Sequence, residues 1–343
     1  MDKLFWAFPV ALLTSLVLTP LMRWLAIRFN FYYQPTATSV NRTPIPLLGG
    51  VAIYFSFLIA MLFFDQLSIK DISILVSGSI LFLVGLVDDV FRISSKGQLF
   101  GIFLASSIVV GYGVRIQFLT NPFGTEMLLL EALSIPVSIL WIAAITASVK
   151  VMDGLDGLAA GICSISALTL FFVAWSNNFL TFGSSTTLVA MLALAGSCIG
   201  FLPYNFHPAR IFMGEAGVMF IGFILANMTI EGMVKRSSII SLSIPIAALG
   251  IPIFNILFAV IRRRLKRKDI LSADREHIHD VLLKKGIPHR NAVLVLYAIS
   301  VLLGVTSFFM SRVSALVTII LWILLVLTLS MGAWKIGLIN PRD

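Results

Sequence analysis

The chain has 343 residues, 59% of them apolar and 12% charged, with mean hydropathy +1.00. A soluble domain carries roughly a quarter charged residues, so this composition excludes a soluble globular or disordered protein and indicates an integral membrane protein. The net charge of +9 is read as membrane topology and not as nucleic-acid binding. Cys163 and Cys198 lie inside apolar runs and form neither a disulfide nor a zinc pattern.

The apolar runs are separated by short polar loops, which indicates helices and not a barrel of alternating strands. Eleven spans are expected, at 4–27, 46–64, 72–87, 99–113, 134–152, 158–175, 186–202, 218–233, 240–261, 293–310 and 313–334. The first is long and lacks the basic start and cleavage site of a secretory signal, so it is read as a retained helix. Between the fourth and fifth spans, alternation before Asn121-Pro122-Phe123-Gly124 predicts a small hairpin. The fold class is therefore an all-α integral membrane protein, a single polytopic domain over 1–343.

Eleven spans place the termini on opposite sides. With the N-terminus outside, the outer segments hold Lys3, Lys70, Arg115, Lys235, Arg236 and Arg312, and all other Lys and Arg lie inside. The positive-inside rule then sets the N-terminus outside and the C-terminus inside, with the hairpin on the outer face. The basic inner surface would attract anionic lipids and anionic soluble substrates. The protein is expected in the cytoplasmic membrane.

The inner loops near 28–45, 88–98, 147–157, 203–217 and 262–292 are expected to form the site, because the acids gather there. Asp88 and Asp89 end the third span, and Asp153 and Asp156 join the fifth and sixth. Glu215 precedes the eighth, and His207 lies in the same loop. Asp274, Glu276 and Asp280 accompany His277 and His279 in the largest inner loop. Outer acids are scattered.

Each motif has a plain reading beside the chemical one. Asp88-Asp89 is either a solvated helix end or a cation site, since adjacent carboxylates repel and hard divalent ions take carboxylate and phosphate oxygens. Asp153-Gly154-Leu155-Asp156-Gly157 is a turn, or two acids at a helix junction where an unpartnered charge is costly. In Tyr204–Gly214, Asn205, His207 and Arg210 suit an anion, Arg210 by bidentate contact; otherwise the loop is an irregular connection and Glu215 a helix cap. The basic run 262–268 reads as an orientation signal on lipid head groups. On a helix, His277 and His279 would diverge, which argues against chelation by this pair alone. Pro44-Ile45-Pro46-Leu47-Leu48-Gly49-Gly50 predicts a break followed by close backbone packing.

Together these pieces resemble the polyprenyl-phosphate N-acetylhexosamine-1-phosphate transferase family (glycosyltransferase family 4). The matching segments are Pro44–Gly50, Gly85–Asp89, Asp153–Gly161, Tyr204–Gly214 and Ser272–His279, in the family's order along nearly the whole chain. The His-Ile-His segment and span count are more similar to the branch that initiates wall-polysaccharide and O-antigen lipids. The resemblance implies transfer of N-acetylhexosamine-1-phosphate from a UDP-N-acetylhexosamine to undecaprenyl phosphate, with release of UMP and use of Mg2+. It implies catalytic roles for Asp88, Asp89 and Asp156, and metal contacts from Asp89, Asp153 and Glu215. Asn205, His207, Arg210, His277 and His279 would bind substrate.

The chain departs from the family pattern at several of these places. An acid three residues after the Asp pair is Arg92; the second Asn of an Asn-x-x-Asn-x-x-Asp run is Lys150; the metal Asp is Glu215; and the last His of the His motif is Asp280. The Arg-Lys-x-His stretch before Pro44 is missing. Arg92, Lys150 and Asp280 are therefore expected as departures inside the pocket. Lys150 is expected to pair with Asp153, Glu215 or the Asp88–Asp89 pair and partly replace the metal. Two functions remain open: an active transferase, or a non-catalytic homologue that binds lipid phosphate or a partner, such as a second copy or an active paralogue. A transporter is disfavoured, since its acids would lie near mid-membrane.

Overall fold

The computed structural model describes residues 2–34, 43–63, 67–120, 127–176, 185–233, 243–267, 277–335 and 337. Among these, helices dominate: α1 (Asp2–Arg28), α2 (Gly49–Leu62), α3 (Ile69–Phe91), α4 (Ser95–Gly111), α5 (Ser134–Met152), α6 (Leu158–Ser176) and α7 (Ser185–Asn205). They continue as α8 (Gly214–Met233), α9 (Ser243–Ala248), α10 (Gly250–Leu265), α11 (Ile278–Lys284), α12 (His289–Met310) and α13 (Ala315–Lys335). Two short antiparallel pairs complete it, β1 (Tyr32–Tyr33) with β2 (Ile45–Pro46), and β3 (Phe118–Thr120) with β4 (Met127–Leu129). The second pair is the hairpin that alternation foretold; its turn lies outside the described residues.

Each of the eleven expected spans contains a helix, and eight helices are long and apolar enough to cross a membrane. The ninth, expected as one run over 240–261, is two helices that meet at Leu249. Pro252 falls in the first turn of α10, where its missing N–H would have had no helical partner. In the middle of one long helix it would have removed a bond and clashed with the preceding turn.

Helix α8 is the centre of the bundle. It packs against α2, α3, α5, α6 and α7, and Phe220, Phe223, Ile221 and Ile224 along it are fully buried. It begins at Gly214, four residues before the expected span, because a neighbouring helix caps it. Asp89 of α3 accepts the backbone N–H groups of Glu215 (2.8 Å) and Ala216 (3.2 Å). These are amides that a helix start leaves without internal partners. Gly214 takes φ +76°, and a Cβ there would press on the Asp89 carboxylate.

The Pro44–Gly50 segment packs as expected against the backbone of the loop that leads into α8. Phe212 donates to Pro46 O, and Gly49 and Gly50 donate to the carbonyls of Phe212 and Met213, all at 2.8 Å. Helix α3 itself starts at a reciprocal cap, with Asp71 accepting from the Ser68 backbone (2.9 Å) and Ser68 Oγ accepting from Asp71 N–H (3.2 Å). It stops at Arg92 in the left-handed conformation, φ +53°.

Candidate active site

The loops flanking α8's N-terminus bring the predicted residues into two adjoining groups. The first surrounds Lys150. This lysine lies in the last turn of α5, where exposed carbonyls favour a cation. Its Nζ stands 3.1 Å from Glu215 Oε2 and 3.9 Å from Asp88 Oδ2. Gln98 of α4 sits between, accepting from Lys150 Nζ through Oε1 and donating to Asp88 Oδ2 through Nε2. Asp88 is buried, and the Lys150 side chain is 22% exposed. Of the partners expected for Lys150, the structure selects Glu215 and Asp88.

The second group is built on the Asp153–Gly157 turn. Asp156 is buried; its Oδ2 meets His207 Nδ1 at 2.8 Å and accepts the Ala209 N–H at 3.1 Å. His289 Nε2 accepts the Asp156 N–H (3.0 Å), and the two imidazoles stack at 4.1 Å. One ligand atom each from Asp156, His207 and His289 lie within 4.8 Å of one another. The hydrogen bonds at Asp156 Oδ2, His207 Nδ1 and His289 Nε2 make the group a latch between the turn, the loop after α7 and the start of α12. Asp153, at the α5 C-terminus, is exposed. Desolvation by the chain around it, then the charges of Glu215, Asp156 and Asp89, raise its carboxyl above the usual carboxylate range.

His279 joins this second group from α11. It is buried, and its ring packs so closely on Gly154 that a Cβ there would overlap it. Burial, and then His289, push its imidazole down to about 4, so it is neutral near pH 7.

Several expectations need correction. His277 and His279 do not diverge: His277 is the residue before α11 and not part of it, so the two rings stack at 5.7 Å. Asp280 is used locally, its Oδ2 accepting the His277 N–H at 3.2 Å. Arg92 is exposed at the end of α3 and makes no ion pair with Asp88, Asp89 or Glu215, so it is not among the acids. Asn205 is spent on the scaffold, its Oδ1 accepting from Gly157 N–H and its Nδ2 donating to Ile211 O, both at 3.0 Å. Arg210 is exposed on the loop leading to α8, its own carbonyl held by Arg23. The expected loop segments 35–42 and 268–276 lie outside the described residues.

Three residues were not foreseen. Gln98 is one polar side chain 52 residues before its lysine partner. His289 falls ahead of the expected span start at 293 but inside α12. Tyr297, read only as part of an apolar run, donates its hydroxyl to Gly157 O. A tyrosine and a histidine eight residues apart on one helix were the available signal for the last two.

Of the residues expected to hold magnesium, Asp153 is open to solvent, and Asp89 and Glu215 are already engaged within the protein. Magnesium demands near-octahedral oxygen ligands close to 2 Å. Here both Asp89 oxygens face the first amides of α8, and Glu215 already meets an ammonium. Two unit charges 4 Å apart interact by about 4 kcal/mol near a protein surface. A dication sharing Glu215 and Asp88 with Lys150 would suffer about twice that in repulsion. The donor set suits one tethered cation.

Comparison with known proteins identifies relatives of the chain. Residues 72–233 match the model of glycosyl transferase family 4. The chain is 33% identical over 337 residues to a protein of Bacillus subtilis (strain 168) named probable undecaprenyl-phosphate N-acetylglucosaminyl 1-phosphate transferase, covering 98% of this chain and 93% of the relative. It is 34% identical over 306 residues to decaprenyl-phosphate N-acetylglucosaminephosphotransferase of Mycolicibacterium smegmatis, covering 80% and 74%. A Thermotoga maritima undecaprenyl-phosphate alpha-N-acetylglucosaminyl 1-phosphate transferase is 27% identical over 302 residues, covering 86% and 88%. The chain is thus a multi-pass membrane protein that belongs to glycosyl transferase family 4, the polyprenyl-phosphate N-acetylhexosamine-1-phosphate transferases.

Proposed function

We propose that the protein transfers N-acetylhexosamine-1-phosphate from a UDP-sugar to undecaprenyl phosphate at the cytoplasmic face of the cytoplasmic membrane, as the initiating step of a cell-envelope polysaccharide. The observation that carries this is the gathering of four separated segments around the N-terminus of α8. Asp88, Lys150 with the Asp153–Gly157 turn, His207 and His279 come from four parts of the chain yet line adjoining groups. The names of the relatives point to a polyprenyl phosphate acceptor, and the basic inner loops support a site that faces anionic substrates.

In this reaction an oxygen of the lipid phosphate attacks the phosphorus that carries the sugar. A new phosphorus–oxygen bond forms, the bond to UMP breaks, and UMP leaves with the electron pair. Such chemistry needs positioning and charge compensation more than covalent help. Asp88, buried and held by Gln98, would orient the attacking phosphate through Lys150. Asp156 fixes His207 by its Nδ1, which leaves Nε2 for a phosphate oxygen. Neutral His279 offers a ring nitrogen beside the Asp153 turn.

The test is purified full-length protein with undecaprenyl phosphate and a panel of UDP-N-acetylhexosamines, assayed for UMP. Release of UMP with one donor and formation of a lipid diphosphate sugar is the expected result. The Lys150–Glu215 ion pair favours a second reading, a homologue that binds lipid phosphate, or pairs with a second copy or an active paralogue, without turnover. Intact undecaprenyl phosphate binding with no UMP from any donor would select it.

A further inference from the structure

We propose that the Lys150 ammonium is a resident cation that takes the place of a divalent ion among Asp88, Glu215 and the incoming phosphates. The proposal rests on the transferase reading only in that the ligands are phosphates. Lys150 is placed by the last turn of α5, and its Nζ is held from three directions by Glu215, Gln98 and Asp88. The Asp88 side chain is 6% exposed, so this is not a pair of solvated surface charges. Arg92, the other cation that the sequence places beside the acids, is exposed and makes no ion pair with them.

The consequence is chemical. An ammonium has three N–H donors; Gln98 takes one and Glu215 pairs with the charge, which leaves capacity for a phosphate oxygen. It carries one charge where a metal would carry two, and it cannot be removed by a chelator. Transfer then needs no ion from solution. The same bonds form and break as above, with no proton or electron added.

Binding of Mn2+ to the full-length protein in detergent micelles decides the matter, read by loss of the free-ion signal in electron paramagnetic resonance. Wild type is expected to leave the signal of equimolar Mn2+ unchanged. Lys150→Asn is expected to bind it, tighter than wild type by at least about tenfold once the competing charge is gone. Mn2+ binding by wild type that Glu215→Gln abolishes would overturn the proposal, and so would a folded Lys150→Asn that binds no better than wild type. Should Lys150→Asn fail to fold, the wild-type and Glu215→Gln measurements still decide. A second arm uses UMP release in excess EDTA. Retained release supports the proposal, and release lost to EDTA and restored by Mg2+ overturns it. A protein that turns over no donor fails the transferase reading alone, because the Mn2+ measurement is independent of turnover.

Discussion

Asp89 of α3 and Glu215 of α8 are joined by a bond between the Asp89 carboxylate and the Glu215 backbone N–H, at 2.8 Å. One acidic residue of the site thus holds another in place by capping its helix. Both Asp89 oxygens are used in this way, the second on Ala216. Removing a side-chain cap costs about 0.5–2 kcal/mol. Asp89→Ala should therefore lower thermal stability by about that amount, while Asp89→Asn, which keeps one acceptor, loses less. Thermal unfolding in detergent checks the order. Equal destabilisation by both variants would argue that charge, not capping, is what Asp89 supplies.

Gly154 is where the turn and the His segment meet. A methyl group there would overlap the His279 ring, so Gly154→Ala must push α11 away from the Asp153–Gly157 turn. UMP release should fall by about tenfold or more, since small misplacements of reacting groups are costly. Gly286→Ala serves as a comparison for stability, because nothing lies near a Cβ at that position and only its φ of +81° resists. If Gly154→Ala keeps full activity, His279 has no positioning role.

Much of this was legible in the sequence. The helices followed from long apolar runs, and the site from acids that share one set of loops. Lys150 was conspicuous because it stands where the family pattern has an Asn, and Glu215 and Asp88 proved to be its partners. What was not legible is use. Asp89 and Asn205 carry residue types that bind ligands and also tie backbones, and only coordinates show that their polar atoms meet amides and a carbonyl. The stacking of His277 on His279 depended on a helix boundary falling between them. Gln98 was hidden because a single amide side chain has no periodicity or charge to mark it.

The neutral, buried His279 makes a pH prediction. Its imidazole is held near 4 when folded against an ordinary value of 6.5. Between these values the unfolded chain binds the extra proton, so stability falls as pH drops from about 6.5 to about 4 and levels off below. The contribution at neutral pH is at most about 3 kcal/mol. Unfolding temperatures measured across this window should decline toward acid for wild type. His279→Gln, which cannot be charged, should show a flatter profile; an unchanged slope would place the acid sensitivity in other groups.

The Asp156–His207 pair predicts a loss of rate without loss of fold. Asp156→Asn keeps the shape and one acceptor but removes the charge that orients the imidazole at 2.8 Å. Hydrogen bonds to charged groups contribute about 1.5–3 kcal/mol, which corresponds to roughly a tenfold to hundredfold lower kcat if His207 contacts phosphate in the transition state. His207→Ala should produce a similar loss, and the double variant little more, because the two act as one unit. Additive losses would show that Asp156 and His207 work separately.

Gln98 gives the sharpest test of the Lys150 arrangement. Its amide is used at both ends, accepting from Lys150 and donating to Asp88. Gln98→Leu removes both contacts and should slow UMP release by about tenfold, equivalent to one lost hydrogen bond of about 1.4 kcal/mol. Gln98→Glu separates the two ends. An ionised Glu still accepts from Lys150 but sets a second negative charge against Asp88 and has no proton to give it. A protonated Glu has both a donor and an acceptor, as the amide does. The Glu variant should therefore be impaired above neutrality and recover relative to wild type as pH falls toward the range in which a carboxyl crowded by a like charge takes up its proton. The ratio of variant to wild-type rate across pH is the readout, since it cancels the titrations both proteins share. A ratio independent of pH would mean that the bond to Asp88 contributes nothing to the reaction and that Gln98 serves Lys150 alone.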